Sequence, residues 1–381
     1  MNRYGKQAKL DYLDWLNVLA MLTIFFFHCA RFFNHEDWHV KNSQLSEGLS
    51  LFVVVVSQWI MPLFFMLSGI SSYYSLSTRK WPQYIWNRLL RLVVPFIFGI
   101  FAFLIPLQVW IERISHAQFD GSFIEFYPHY FEGLYAFGGN FAWMGLHLWY
   151  LEMLFVFTLL TLPLFVFFKM ERFRKQISEI SMFFAKNGAV FLLSIPLFLM
   201  ELVVNLQPDG VGMRAFGGWS PFSYLVIFVI GFFIAFNPIC SEAFENSRYI
   251  ALILCLMISS LMIFNVIDLA ILGKFSYPVT IFARAFNSWC WLVSIFGFGA
   301  KHLNFNSEIK IYAREATLPF YIIHQTVIVI IGFYIVNWGI SIVLKYLLLS
   351  TFSFIIITFI YELFVKRIGA LRFLFGMKSS R

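Results

Sequence analysis

Long apolar runs, most of them near or above twenty residues and separated by short stretches that collect the charge, repeat from one end of this chain to the other. An α-helix needs about 20 mainly apolar residues to cross a hydrocarbon layer about 30 Å thick, and such a helix satisfies its own backbone in lipid. The pattern therefore predicts an all-α fold, a polytopic membrane bundle of about ten transmembrane helices. The spans read roughly 13–33, 49–75, 89–111, 147–168, 188–206, 219–236, 249–270, 277–300, 315–336 and 340–365. The tails are short, and the longest loop, roughly 112–146, is too small for a soluble domain, so residues 1–381 read as a single integral membrane domain. No internal repeat and no matched pair of Gly/Pro-broken helices stands out, which argues against an inverted-repeat transporter.

Composition agrees with this pattern. Of 381 residues, 60% are hydrophobic and only 13% charged, more apolar surface than one soluble core buries. Charge adds an orientation, because cytoplasmic loops retain Lys and Arg. With the N-terminus inside, 21 of the 28 Lys and Arg fall on the inner side and five on the outer side. Both termini are thus expected in the cytoplasm of a cell that carries the chain in its inner membrane. The bilayer is the expected partner, and the net charge of +8 implies no nucleic-acid partner. The first apolar run is long, starts with Asp11 and Asp14 and lacks a small-residue cleavage site, so it reads as a retained helix. Cys29, Cys240, Cys255 and Cys290 have no metal-ligand spacing, and no metal or bound cofactor is expected.

Ionisable side chains at membrane depth are costly and point to function by default. His28 falls about 22 Å past the inner end of the first span, counting 1.5 Å per residue. His147, Glu152, Glu201, Asp268 and Arg284 share its outer half by the same arithmetic, whereas His324 falls in the inner half, on the side of Arg88 and Arg91. Structural readings stand beside the functional ones: Glu201 and Arg284 as an ion pair, Asp268 as interfacial, the arginines as residues snorkelling to the headgroups. Arg88 and Arg91 share a helix face at i and i+3, and guanidinium pairs with phosphate in bidentate fashion. The loop His35–Asn42 reads as a solvated turn, and outer aromatics such as Trp38, Tyr127, Tyr130, Tyr135 and Trp143 suit either the membrane interface or stacking on sugars.

Several strings resemble one family in order along nearly the whole chain. YLDWLNVLAMLTIFFFHCARFF in the first span, PLFFMLSG (Pro62 to Gly69), RLLR (Arg88 to Arg91), HLWYLEML (His147 to Leu154) and LPFYIIHQTVI (Leu318 to Ile328) are similar to signatures of the acyltransferase-3 family of integral membrane O-acyltransferases, in the branch that includes glucan succinyltransferases. One position departs: Asn17 stands where the family has an arginine, and Lys9 or Arg88 are the candidates to compensate.

The resemblance implies acyl-CoA, acetyl or succinyl, as a co-substrate docking from the cytoplasm and a carbohydrate hydroxyl as acceptor from outside. His28 is then the expected general base, suited by an unperturbed imidazole pKa of about 6.5. Arg88 and Arg91 are expected to hold donor phosphates, and His147, Glu152, Arg284 and His324 to line the acceptor site or channel. The alternative is a transporter or flippase of an envelope precursor using the same polar groups, and a third reading is a scaffold that has lost activity with the Asn17 exchange.

Overall fold

In lipid a helix is held by the apolar faces it can bury and by what satisfies its ends, and both are visible here. The computed structural model describes residues 11–186, 188–208, 213–214, 217–237, 239–266 and 269–378. Helix α1 (Asp11–Ala30) opens with Asp11 and Asp14 in its first turn, where carboxylates complement the helix dipole. The second apolar run bends at residues 58–59 into α2 (Glu47–Ser57) and α3 (Ile60–Thr78). Next come α4 (Trp81–Arg88), a π-helical turn (Leu89–Val93), α5 (Val94–Phe101) and α6 (Leu104–Ser115). A reciprocal Ser122–Glu125 capping box starts α7 (Phe123–His129) in the outer loop. The chain continues through α8 (Trp149–Lys169), α9 (Glu171–Phe184), α10 (Ser194–Val204) and α11 (Pro221–Ile234), the last capped by Ser220 with Pro221 in its first turn. It ends with α12 (Ile239–Ile263), α13 (Ser276–His302), α14 (Glu308–Ile335), α15 (Ile342–Ile360) and α16 (Gly369–Leu374).

Helices occupy all ten predicted segments, and no β-strand occurs among the described residues. Among the described residues, eight spans are long and apolar enough to cross a membrane, nine if α9 and the 189–204 segment act as one bent span. The predicted fifth and sixth spans are the shorter ones: Gly188, at φ +76°, and a 3-10 turn leave only 11 residues for α10, and α11 has 14.

The chain divides into two compact units, each assembled from three separate stretches. The first comprises residues 1–20, 55–84 and 157–311. Its α3 and α11 meet through glycine: a Cβ on Gly69 would lie 2.1 Å from the Phe228 carbonyl, and one on Gly231 would lie 2.3 Å from that of Met66. Small residues let membrane helices approach backbone to backbone, so Gly69, which closes the PLFFMLSG string, is a packing residue. Phe165 stacks on Phe232 at 3.6 Å nearby, and Lys310 ties the start of α14 to Asp11 of α1 at 2.5 Å.

The second unit comprises residues 21–54, 85–156 and 312–381. The α14 helix is its centre. Residues 322–329 are buried without interruption, so this helix is surrounded on every side rather than carrying one apolar stripe. Phe25 of α1 sets its ring against Phe320 of α14 (5.5 Å) and Phe354 of α15 (6.0 Å). A Cβ on Gly332 would strike the Phe32 ring at 2.2 Å, so α14 and the end of α1 are in close contact. His324, Gln325 and Thr326 are thereby carried into the interior of an otherwise apolar core.

Candidate functional site

His28 lies in the last turn of α1. Its imidazole is stacked on Trp38 (centroids 5.8 Å, planes 15° apart) and tilted against His324 at 5.2 Å. His147, just before α8, sets its ring edge-on to that of His324, also at 5.2 Å. Three imidazoles from three segments of the second unit thus form one row, with His324 in the middle. This corrects the depth assigned to His324: it belongs with His28, not with the arginines. The apolar run was counted from residue 315, but α14 begins at Glu308, and its polar first two turns raise His324 to about 24 Å along the helix, against about 26 Å for His28 along α1.

The hydrogen bonds assign the tautomers. His147 Nε2–H donates to the Ile322 carbonyl at 3.1 Å, and its Nδ1 accepts from the Gln108 amide at 3.3 Å, so both ring nitrogens are occupied. His147 therefore positions α14, and the Tyr321 hydroxyl reinforces this by donating to the His147 carbonyl. His324 Nδ1–H donates to the Tyr321 carbonyl at 2.6 Å, which leaves Nε2 buried and unpartnered. His28 Nδ1 is likewise buried without a partner.

The loop after α1 is only in part the solvated turn its sequence suggests: His35, Glu36 and Asp37 are exposed. Asn34, His39 and Asn42 are buried. His39 Nδ1–H donates to Glu112 of α6, and its Nε2 meets the Gln325 amide at 3.1 Å. Tyr135 donates to both Glu112 oxygens at 2.8 Å, and Arg113 lies 3.6 Å from the same carboxylate. Burial pushes the Glu112 carboxyl up, but the hydrogen bonds from His39 and Tyr135, with the Arg113 guanidinium, outweigh it and hold the group below the ordinary carboxylate value. Lys41 gathers the loop by donating to the Arg31 and Glu36 carbonyls at 2.9 Å. Burial and Arg31 lower its pKa to about 8. Polar loops that fold back on a bundle carry no periodic signal, which is why His39 escapes a sequence reading, and with it the partner of Glu112.

The remaining candidates are placed as follows. Arg88 ends α4 half-buried, and Arg91 sits exposed in the π-helical turn, a wider turn that spreads the pair around the helix beyond the α-helical i, i+3 spacing. An apolar groove of about 450 Å³ follows that turn along α5, lined by Val93, Ile97, Phe101 and Leu374 among others. Glu152, in the first turn of α8, makes no hydrogen bond or ion pair with the described residues. Glu201 and Arg284 belong to the first unit and are not each other's partner. Glu201 pairs with Arg214 at 2.9 Å, whereas Arg284 donates to the Gly218 carbonyl and lies 4.4 Å over the Trp219 ring. Asn17 is half-buried on α1. Asp268 and Lys9 lie outside the described residues.

The profile of the acyltransferase-3 family, described as an acyltransferase domain, matches residues 10–362. Glucans biosynthesis protein C of Salmonella schwarzengrund is 23% identical over 376 residues, covering 96% of this chain and 94% of that protein. The protein of the same name from Salmonella typhi is 23% identical over 375 residues, and that from Escherichia coli 26% over 385, each with the same coverage. No solved structure matches the chain.

Proposed function

Because this chain belongs to the acyltransferase-3 family and is a membrane acyltransferase, we propose that it moves an acetyl or succinyl group from cytoplasmic acyl-CoA to a hydroxyl of an envelope or extracellular carbohydrate. The names of its relatives favour a glucan as that carbohydrate. In this reading the chain lies in the inner membrane with both termini cytoplasmic, the orientation that keeps most Lys and Arg inside.

One observation carries the mechanism: His28 holds a buried, unpartnered ring nitrogen beside a second imidazole with the same property. His28 takes the proton of the acceptor hydroxyl as its oxygen attacks the thioester carbonyl carbon. The new C–O bond forms, the C–S bond breaks, and the proton passes to the departing thiolate, giving an ester and free coenzyme A. Positioned bases of this kind contribute about 10²–10⁴-fold in rate. The stacked Trp38 holds the plane of the His28 ring, and His147 fixes the helix that carries His324. Arg88 and Arg91 hold the donor phosphates at the inner face. Replacing both with Ala is expected to raise the KM for acyl-CoA by about tenfold or more, with kcat less affected. An unchanged KM removes them from the donor site.

The intact chain in sealed vesicles, given labelled acetyl-CoA or succinyl-CoA on one side and a glucan on the other, tests the whole reading. Ester-linked label on the glucan is the expected result. Movement of unacylated glucan across the vesicle without acyl-CoA would replace the enzyme with a transporter.

A further inference from the structure

A buried hydrogen-bonding group without a partner is destabilising, so several in one neighbourhood mark capacity kept for something the chain itself does not supply. Besides Nδ1 of the proposed base His28, three such atoms lie in the contact network around the imidazole row, and the chemical character of each of the three follows from its neighbours. The first is His324 Nε2. Its ring has placed its proton on Nδ1, toward the Tyr321 carbonyl, so Nε2 is a bare lone pair. The second is Gln108 Oε1. The amide nitrogen of Gln108 donates to Thr326 Oγ1 at 2.7 Å, while the Thr326 hydroxyl donates to the Leu104 carbonyl at 3.1 Å, and the amide oxygen is left unpaired. The third is Gln325 Oε1. His39 donates its Nδ1–H to Glu112, so its Nε2 accepts from the Gln325 amide nitrogen, and the Gln325 oxygen has no partner.

Gln108 and His324 are 0% exposed and Gln325 3%. All three free atoms are acceptors. A carboxylate or phosphate brings only more acceptors and finds nothing to bond there, whereas a molecule carrying several O–H groups matches all three. We propose that Gln108, Gln325 and His324 form a subsite for the hydroxyls flanking the one that is acylated, so that the site selects polyhydroxylated acceptors over simple alcohols. This rests on the acyltransfer reading of the same histidines and its carbohydrate acceptor, and adds to it the residues that choose that acceptor.

The test uses the full chain in detergent or nanodiscs with labelled acetyl-CoA or succinyl-CoA, and compares methyl glucoside, its monodeoxy analogues and cyclohexanol as acceptors. Methyl glucoside is expected to exceed cyclohexanol by about 10²-fold or more in kcat/KM. Gln325→Met, which keeps the volume and removes the acceptor oxygen, is expected to shrink that preference by about tenfold or more, and Gln325→Glu to retain more of it than Gln325→Met does. A Gln325→Met chain with the full preference overturns the subsite. Should that variant not fold, the deoxy series on the intact chain decides: loss of a flanking hydroxyl is expected to cost about tenfold or more, and equal transfer to every analogue overturns the proposal. Cyclohexanol acylated as well as methyl glucoside would sink the subsite alone, whereas an intact chain that acylates no alcohol would sink the acyltransfer reading with it.

Discussion

Two clusters of buried polar groups, one in each unit, differ in how completely they are satisfied. Around Glu201 the valences are matched: its carboxylate accepts from Arg214, Ser223 and Asn205, and Arg214 also reaches Asn205 Oδ1 and the Gly218 carbonyl. Around His28 they are not, since His28 Nδ1, His324 Nε2, Gln108 Oε1 and Gln325 Oε1 are all buried and unpaired. The first unit has unpaired atoms too, at Trp59, Arg248 and Ser288, but none belongs to the Glu201 set. Depth in the membrane is therefore a poor guide to chemistry by itself. Unspent hydrogen-bonding capacity separates a site from a brace.

The largest expected effect is at His28. His28→Ala should lower transfer by about 10²–10⁴-fold per folded molecule, measured as label moved from acyl-CoA to acceptor, because it deletes the proposed base while leaving the packing around Phe25 in place. Near wild-type turnover would end the contrast between the clusters. His324→Leu comes next, at about 10²-fold in kcat/KM, since the row loses its middle member and the geometry at His28 relaxes. His147→Gln would sharpen the distinction: an amide can still bridge Gln108 and Ile322, so it should retain more activity than His324→Leu.

Glu112 is expected to act more weakly and in a pH-dependent way. Its folded pKa lies below the ordinary carboxylate value of about 4.3, so its contribution is fully present above that value and is lost as pH falls through the lower, folded one. Glu112→Gln should lower Tm near neutral pH, cost about tenfold in transfer through the loosened Trp38–His39 loop, and remove the acid dependence expected of the native chain below the ordinary carboxylate value. Identical acid unfolding of the two proteins would show that the His39–Glu112 link does not hold the loop.

How far the sequence reaches follows the same division. The spans are legible because lipid leaves the backbone no alternative to helices, and the two that fell short, α10 and α11, are where Gly188 and a Ser-Pro start cut the run. His28 is legible because an ionisable group in an apolar helix is conspicuous. Its neighbours are less so: Trp38 reads as an interface or sugar-stacking aromatic and proves to lie on His28, while His39 hides in a polar loop and Gln108 and Gln325 are uncharged. Partnership is the least legible property. Glu201 and Arg284 look like a pair by depth, yet Arg214, from a loop, takes the carboxylate. Only the three-dimensional placement of Arg214 decides it.

The smallest expected effect on turnover tests the brace itself. Glu201→Leu removes the acceptor shared by Arg214, Ser223 and Asn205 in the first unit. Arg214 keeps 31% of its side-chain exposure and can turn toward water, so the loss should be about 1–3 kcal/mol of stability rather than that of a fully enclosed pair. Transfer per folded molecule should stay within about twofold, because no free valence is removed with it. A fall comparable to that of His28→Ala, in protein whose Tm and elution match the native chain, would mean that a saturated cluster takes part in the chemistry. Unspent capacity would then no longer distinguish one buried polar cluster from the other.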